Sequence, residues 1–381
     1  MRSEAPHPAA RPDEMTRTSR RGSRYEALRM NDSARRAVVI GGSGFVGKRL
    51  VELLAGPPRE GWPRFESIVT VDRAPYPAAL PDRVTEIRAD VTRPDELRRA
   101  LAGAHTVFHL ASVVHVGLGK SAVIDEVNVR GTENVVEACR ALDVPFLVYT
   151  SSEDVVLDRE PVAGGDESIP YPSRPIHDYV RTKIEGERIA LGANGRALAG
   201  RGTLHTCAIR PTHVYGPEDP HAITTALREI AAGKMPLLIG EASARFDVVY
   251  VDNVVHAHLL AAACLADDTR RARVAGRAYF VCEGHAPNFF DFLRPFAAVH
   301  GIDIPRRRLP KRLAFAIADL NALVHRVTGL EPTFHRFHLY VIGQDFFFSD
   351  RRAREELGYA PIVPSTEGIE RTKAWVKTLR L

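Results

Sequence analysis

Residues 37–40 (AVVI) run straight into the turn Gly41-Gly42-Ser43-Gly44-Phe45-Val46-Gly47, and Leu50, Val51, Leu53 and Leu54 then recur at helical spacing. A strand, a glycine turn and a helix in that order constrain the fold more than any other feature of this chain. Glycine admits the sharp turn and lets a pyrophosphate approach bare backbone N–H groups. The helix N-terminus that follows favours the negative charge. A second apolar stretch, 67–71 (SIVTV), ends on Asp72. A carboxylate there accepts both ribose hydroxyls of an adenosine and repels a 2′-phosphate, which favours NAD over NADP. Arg73 beside it can hold a 2′-phosphate, so NADP is not excluded. Gly41, Ser43, Gly44, Phe45, Val46, Gly47 and Asp72 are therefore the first candidate cofactor contacts.

The same rhythm continues. Strands are expected at 84–88, 106–110, 146–150 and 205–209, and helices from Pro94, over 126–142 and over 179–191. Proline in a first turn followed by Asp95 and Glu96 is a helix start. Strands that are almost wholly apolar are buried on both faces, which means a parallel sheet wrapped by helices. The fold class is therefore α/β, a Rossmann-type doubly wound parallel sheet. After about residue 211 the alternation breaks into prolines, glycines and short helices. Late strand candidates lie at 247–251, 278–281 and 346–348. The expected division is a dinucleotide-binding domain over 35–210 and a smaller, mixed substrate-binding part over 211–381, interleaved with it. In open parallel sheets ligands bind at the carboxyl ends of strands. Asp90-Val91 follows the third strand, where Asp90 can accept the adenine amino group or cap the next helix. Leu110-Ala111-Ser112 closes the fourth, with small residues that permit close approach.

Composition bounds the partners. The first 36 residues carry 9 basic and 5 acidic side chains, which leaves 43 against 42 for the rest of a chain whose net charge is +5. So neutral a body excludes a nucleic-acid-binding surface as the main function. Residues 1–34 lack apolar periodicity and are expected to be disordered. They hold no apolar core of a secretory signal, and their acids count against a transit peptide. A start at Met30 would give a conventional N-terminus, so residues 1–29 are expected to be dispensable. Cys139, Cys207, Cys264 and Cys282 form no CxxC pair and read as reduced thiols of a cytoplasmic protein. No run of 18 apolar residues exists to span a membrane. The nearest candidate, 312–330, is amphipathic. Packing on its own domain is the plainer reading, and a peripheral surface that meets lipid or a lipid-like substrate is the sharper one.

Tyr179 and Lys183 stand four apart, on one face of a helix. A free tyrosine has a pKa near 10, and a cation one turn away is expected to lower it by favouring the phenolate. Lys183 can also bond the nicotinamide ribose. Tyr149-Thr150-Ser151-Ser152 ends the fifth strand at the same sheet edge, where Ser152 can steady charge on a substrate oxygen. Ser152, Tyr179 and Lys183 together support proton transfer coupled to hydride transfer, with Tyr179 as base for an alcohol and as acid in reverse.

These residues carry a resemblance. GGSGFVG at 41–47, NVRGTENVVEAC at 128–139, YTSS at 149–152, PIHDYVRTKIEGERIALGAN at 175–194, TCAIRPTHVYGPEDP at 206–220, GKMPLLIG at 233–240 and VYVDNVVHAH at 249–258 resemble the 3β-hydroxysteroid dehydrogenase family. That family belongs to the extended short-chain dehydrogenases/reductases. The branch most resembled is sterol-4α-carboxylate 3-dehydrogenase (decarboxylating), over roughly residues 36–378. The resemblance implies catalytic Ser152, Tyr179 and Lys183, with Asn128 as a structural or proton-relay residue. It implies that Arg210-Pro211 passes the nicotinamide and that Asp252-Asn253 is a structural turn onto a helix. It implies NAD(P)-dependent oxidation or reduction at the 3β-hydroxy or 3-keto position of a steroid or sterol-4α-carboxylate, and so a small apolar substrate. A homodimer is expected only because the fold commonly forms one. This chain departs from the family at Glu153-Asp154, where acids follow the serine. They either turn outward or change which substrates are welcome. Residues 312–330 are also much less apolar than the membrane-facing segment of the eukaryotic relatives.

Other functions share parts of this pattern. Reduction of long-chain 2-alkyl-3-keto acids keeps the mechanism, and a nucleotide-sugar epimerase or dehydratase keeps the fold. A dinucleotide sensor would not need the Tyr/Lys pair. A hydrolase needs a GxSxG elbow, which Ser152 lacks. A metal site is not expected: there is no HExxH, His256 and His258 fall on different helix faces, and His335 and His338 lack a carboxylate or thiol partner.

Overall fold

The structure, a computed structural model, describes residues 35–119, 121–220 and 222–380. The tail expected to be disordered and the alternative start at Met30 lie outside them. The strands are β1 (Arg36–Ile40), β2 (Ser67–Asp72), β3 (Val84–Arg88), β4 (Thr106–His109), β5 (Phe146–Thr150), β6 (Val162–Gly165), β7 (His205–Pro211), β8 (His213–Tyr215), β9 (Val248–Tyr250), β10 (Ala278–Val281) and β11 (Phe346–Phe348). The helices of the first half are α1 (Phe45–Ala55), α2 (Pro94–Ala100), α3 (Ala122–Asp125), α4 (Gly131–Ala141) and α5 (Asp178–Gly192). Those of the second half are α6 (Ala222–Ala231), α7 (Val251–Ala266), α8 (Arg271–Val274), α9 (Phe289–Val299), α10 (Lys311–Thr328), α11 (Arg336–Val341) and α12 (Ser365–Val376).

Seven strands form one parallel sheet in the order β10-β7-β5-β4-β1-β2-β3. Its inner strands are apolar because helices cover both faces. Val38, Ile40, Val107 and Leu147 pack on one side with Leu97 and Val135. Val39, Phe108 and Val148 pack on the other with Leu50, Val51, Val254 and Leu259. Only β3, reading VTEIR, is half-exposed, as suits an edge. From β1 the chain moves to β2 and β3 on one side, then returns to β4 on the other. The crevice between the carboxyl ends of β1 and β4 is therefore the switch point where such sheets bind ligands.

The second half of the chain is not a detached body. Strand β10 joins the sheet edge beside β7, with Phe280 opposite Arg210. Two small parallel pairs, β6 with β11 and β8 with β9, sit apart from the main sheet. An aromatic core, including Tyr215, Phe246, Phe280, Phe290, Phe296 and Phe346, binds this half to Val155–Leu157 and Ile184 of the first.

Two local differences from the sequence expectation stand out. The helix expected over 126–142 begins at Ala122 and passes through a π-turn, Glu126–Arg130. The strand expected over 247–251 ends at Tyr250, because Val251 already opens α7. Helix α10 buries only Ala314 and Ala318, while Leu320 and Leu323 are each 57% exposed and Val327 is 80% exposed. With Phe315 and Ile317 also packed on the core, the helix does pack on its own domain, while Leu320, Leu323 and Val327 form an exposed outer stripe. No helix among the described residues is long and apolar enough to cross a membrane. All four cysteines are buried free thiols.

Candidate active site

The glycine turn divides its work. Gly41 has φ +85°, and a Cβ there would lie 2.5 Å from the Ala111 nitrogen, so a side chain is excluded twice over. A Cβ on Gly47 would lie 2.0 Å from the Gly41 carbonyl oxygen, so only glycine lets α1 pack this closely on the turn. A Cβ on Gly44 would meet nothing closer than the Gly41 oxygen, at 3.3 Å. Packing alone does not demand glycine at Gly44. A bare residue there instead leaves the first N–H groups of α1, which have no intrahelical acceptor, open to an anion. Phe45 and Val46 are half-buried against the cores, so what they offer a ligand is backbone N–H. This cradle fits a dinucleotide.

Asp72 is held in place by the turn: the Ser43 N–H donates to Oδ2 at 3.1 Å and the Ala74 N–H to Oδ1 at 3.0 Å. Arg73 next to it is exposed, and its carbonyl accepts from Arg88. Asp90 Oδ1 accepts from both the N–H and the hydroxyl of Thr92, at 2.9 and 2.8 Å, a local Asx-turn rather than a cap on α2, whose N-cap is Arg93. Buried Val91 packs under Gly131, and its carbonyl accepts from Asn134. Leu110 continues the β4 ladder by donating to the Ile40 carbonyl at 2.8 Å. Ala111 and Ser112 follow, directly beside Gly41.

Asn128 sits in the π-turn, a device often found at functional sites. Its Oδ1 accepts from the Ser112 hydroxyl (3.1 Å) and the Val113 N–H (2.8 Å). Its Nδ2 donates to the Val113 carbonyl (3.1 Å) and Thr182 Oγ1 (3.2 Å). Every hydrogen-bonding position of the amide is used. The side chain thus ties the β4 exit to α5.

Ser152, Tyr179 and Lys183 converge at the carboxyl end of β5. The Ser152 side chain lies close enough to Tyr179 to act on its pKa. The Lys183 ammonium donates to the Thr150 carbonyl at 2.8 Å and lies 4.9 Å from the centre of the Tyr149 ring. Burial lowers the pKa of Lys183 to about 8, against the pull of Glu187 and Asp154. Tyr179 differs from expectation. Burial raises its pKa, and Asp154 and Glu153 raise it further, with only Ser152 acting the other way. The Lys183 ammonium bonds the Thr150 carbonyl rather than the phenol.

Those acids do not turn outward. Glu153 is buried, with Oε2 unpartnered among the described residues, and burial holds its pKa well above the ordinary value. Asp154 turns back on the serine: Ser152 Oγ donates to Asp154 Oδ2 at 3.0 Å and accepts from the Asp154 N–H at 3.2 Å. His177 caps α5 by accepting from the Tyr179 N–H at 3.1 Å. Neither Asp154 nor His177 belongs to the sequence-level candidates. A histidine is not among the usual N-cap residues, and only the acidic pair after Ser152 hinted at Asp154.

Arg210 directs its guanidinium away from the crevice, into a buried pair with Glu187 at 2.6 Å, flanked by Tyr171 and Phe280. That leaves the backbone of Arg210-Pro211, not the arginine charge, for any cofactor contact. Asp252 accepts from Arg49, and Asn253 uses its whole amide on Glu283, Ile362 and Val363, a structural turn. Among the described residues no group of three or more His, Cys, Asp or Glu could hold a metal ion. His335 and His338 instead cap α11 reciprocally.

A doubly wound parallel sheet, a glycine turn at its switch point and a Tyr/Lys helix beside it define a short-chain dehydrogenase/reductase. Residues 38–311 match the family model described as the 3-beta hydroxysteroid dehydrogenase/isomerase family, and the chain belongs to that family. With it, the protein is an NAD(P)-dependent oxidoreductase. It is 37% identical over 341 residues to short-chain dehydrogenase/reductase family 42E member 1 of Danio rerio, covering 87% of this chain and 86% of that one. It is 32% identical over 366 residues to 3beta-hydroxysteroid-dehydrogenase/decarboxylase isoform 1 of Arabidopsis thaliana, covering 91% and 80%. Among solved structures, MoeE5 in complex with UDP-glucuronic acid and NAD matches with TM-score 0.62 at 25% identity, over 90% of this chain and 99% of that one.

Proposed function

We propose that this enzyme oxidises the 3β-hydroxyl of a steroid or sterol-4α-carboxylate, and runs the reverse reduction, through Ser152, Tyr179 and Lys183. The observation that carries the reading is the Lys183–Thr150 hydrogen bond of 2.8 Å, which holds the Tyr179/Lys183 face of α5 against the end of β5, two residues before Ser152. Tyr179 takes the alcohol proton and returns it in reduction. Ser152 steadies the reacting oxygen. Lys183, which bonds the Thr150 carbonyl, would hold the cofactor ribose. Asn128 keeps the β4 exit and α5 in register. NAD(P), when bound, accepts or supplies the hydride. The 41–47 turn would hold its pyrophosphate, Asp72 its adenosine ribose and Asp90-Val91 its adenine. Leu110-Ala111-Ser112 and the Arg210-Pro211 backbone would flank its nicotinamide end.

For a 4α-carboxylate, oxidation at the 3-position makes a β-keto acid. The new carbonyl then accepts the electron pair released as carbon dioxide leaves. The Arabidopsis relative, named a dehydrogenase/decarboxylase, supports that substrate class. We also infer that the outward face of α10 meets an anionic lipid surface, the natural source of so apolar a substrate.

The test is nicotinamide absorbance with NAD and, in parallel, a 3β-hydroxysteroid, a sterol-4α-carboxylate and a 2-alkyl-3-hydroxy acid. Sterol turnover is expected, with a loss of about 100-fold or more in Tyr179→Phe while NAD still binds. Turnover of the acyclic acid alone would move the enzyme to another substrate class. No turnover, with NAD bound, would leave a dinucleotide sensor.

A further inference from the structure

Thr150, the last residue of β5, is bonded through both of its oxygens. Its carbonyl accepts from the Lys183 ammonium at 2.8 Å. Its hydroxyl lies 2.7 Å from Nε2 of His258, on α7. Side chains alternate along a strand, so Val148 and Thr150 share one face and Tyr149 takes the other. Val148 packs with Val254 and Leu259 of α7. The Tyr149 ring faces the Lys183 ammonium of α5. The end of β5 is thus gripped from both faces of the sheet, by His258 on one and by Lys183 on the other.

Donor and acceptor chemistry gives this chain of bonds a direction. His258 Nδ1 lies 2.8 Å from the Val254 carbonyl. A carbonyl only accepts, so Nδ1 carries the imidazole proton. Nε2 is then a lone pair and takes the Thr150 hydroxyl proton. The ring is wholly buried, and burial lowers its pKa to about 4, so it stays neutral and keeps this tautomer in the neutral pH range. A histidine that only filled the core could bond any nearby hydroxyl. This one bonds the residue whose carbonyl holds the Lys183 ammonium.

On the reading that Lys183 holds the cofactor ribose, we propose that His258 and Thr150 are its positioning residues. His258 fixes the Thr150 side chain from the α7 face. That restrains the peptide whose carbonyl takes one N–H of the ammonium. Two of the three lysine donors are left for the cofactor. The other titratable groups facing Lys183 are Glu187 one turn along α5, Asp154 after β5, Tyr149 on β5 and His109 on β4. Their charges and rings act on the ammonium from around it, and the Thr150 carbonyl is the group it bonds.

The experiment compares the parent with Thr150→Val, Thr150→Ser, His258→Leu, His258→Gln and Lys183→Met. The readouts are NAD affinity, kcat/KM and the ε-carbon NMR resonance of Lys183 in the enzyme without cofactor, assigned by its loss in Lys183→Met. Valine keeps the shape of threonine and removes the hydroxyl. Thr150→Val should therefore weaken NAD binding about tenfold and cut kcat/KM about 10- to 100-fold. Thr150→Ser keeps the hydroxyl and should stay close to the parent. His258→Leu should repeat the Thr150→Val loss, and His258→Gln, which keeps an acceptor, should recover most of it. The Lys183 pKa, about 8 in the parent, should fall in Thr150→Val, because the carbonyl that favours the ammonium is no longer held. In a Lys183→Met background Thr150→Val should cost no further NAD affinity, which a general packing defect would not obey. Nitrogen NMR shifts of the parent should show His258 neutral and protonated on Nδ1. Parent-like NAD affinity and Lys183 pKa in Thr150→Val, an equal loss in the Lys183→Met background, or a His258 protonated on Nε2 would each overturn the proposal. Lys183→Met that bound NAD and turned over like the parent would instead overturn the Ser-Tyr-Lys reading. Should Thr150→Val fail to fold, the His258 pair and the nitrogen shifts of the parent would still decide.

Discussion

Glu187 and Arg210 show how much of this site is held by residues that do no chemistry. Arg210 is 5% and Glu187 0% exposed at the side chain, and the two share three hydrogen bonds. Burial opposes ionisation of Glu187, but the bonds and charge of Arg210, with Tyr171, hold its carboxyl below the ordinary value. Removing one partner strands the other charge in the core. Glu187→Gln should therefore cost about 3–5 kcal/mol of unfolding free energy. A urea midpoint equal to the parent's would mean the pair contributes nothing. The pH dependence follows from the lowered pKa. The contribution is complete above the unfolded carboxyl value of about 4.3 and is lost as pH falls through the folded one. The sequence makes Tyr179 and Lys183 legible because their spacing is local. It does not reveal their protonation, which depends on acids 25 and 26 positions before Tyr179 and on burial. Nor does it reveal that Arg210, adjacent to a motif proline, faces α5 rather than the crevice.

At the scale of elements, residues 115–119 after β4 are clasped from two distant parts of the chain. Glu331 accepts from the N–H groups of Leu118 and Gly119, at 2.9 and 2.8 Å. His177 Nε2 pairs with the Gly117 carbonyl at 3.0 Å and His335 Nε2 with that of Val116 at 2.7 Å. Both histidines are held neutral, with pKa values lowered mainly by burial. The bonds define the His177 tautomer: Nε2 carries the proton, and Nδ1 accepts from the Tyr179 N–H. A second proton on Nδ1 removes that cap. Since the folded pKa is lowered, the stabilisation is complete above the unfolded value of about 6.5 and declines as pH falls below it. Amide exchange at Tyr179, corrected for intrinsic rate, should quicken about fivefold between pH 7.5 and 5. That corresponds to about 1 kcal/mol for the bond lost. At pH 7.5 His335→Ala, which removes the bond to the Val116 carbonyl, should quicken exchange over residues 116–119. Unchanged protection in both would remove the clasp. Strands β1, β2, β4, β5 and β7 were legible because an apolar run bounded by turn residues is a local signal. Strands β6 and β8 are three or four residues long and carry none. The clasp has no local signature at all, because its partners lie 60 and 219 positions apart.

For the whole molecule, the doubly wound sheet was readable from alternation alone. The orientation of α10 was not. An amphipathic pattern tells which residues share a face, but not which face turns inward. Here the inward face is small, Ala314 and Ala318, with Phe315 and Ile317 half-buried. The outward stripe is Leu313, Ala316, Leu320, Leu323 and Val327, at alternating spacings of three and four. Leu330 beyond the helix is 68% exposed. Such a stripe suits either lipid or a second copy of the helix. Charge decides between them. Arg312, Asp319 and Arg326 fall seven apart along one flank, so an antiparallel self-pair would oppose arginine to arginine and aspartate to aspartate. Arg306 and Arg307, just before the helix, are exposed as well, and Asp319 is already paired with Arg336. The surplus is cationic, which fits an anionic bilayer at about 1 kcal/mol per basic residue. The protein should sediment with vesicles rich in phosphatidylserine and not with purely zwitterionic ones, and salt should weaken the binding. Leu320→Ser with Leu323→Ser should abolish it, and Arg312→Glu with Arg326→Glu should reduce it about tenfold or more. Turnover of a soluble steroid should be unchanged in both variants, because α10 contributes nothing to the Ser152–Tyr179 constellation. If the parent ignores anionic vesicles but forms a concentration-dependent dimer that the double serine variant breaks, the stripe belongs to a second copy of the chain.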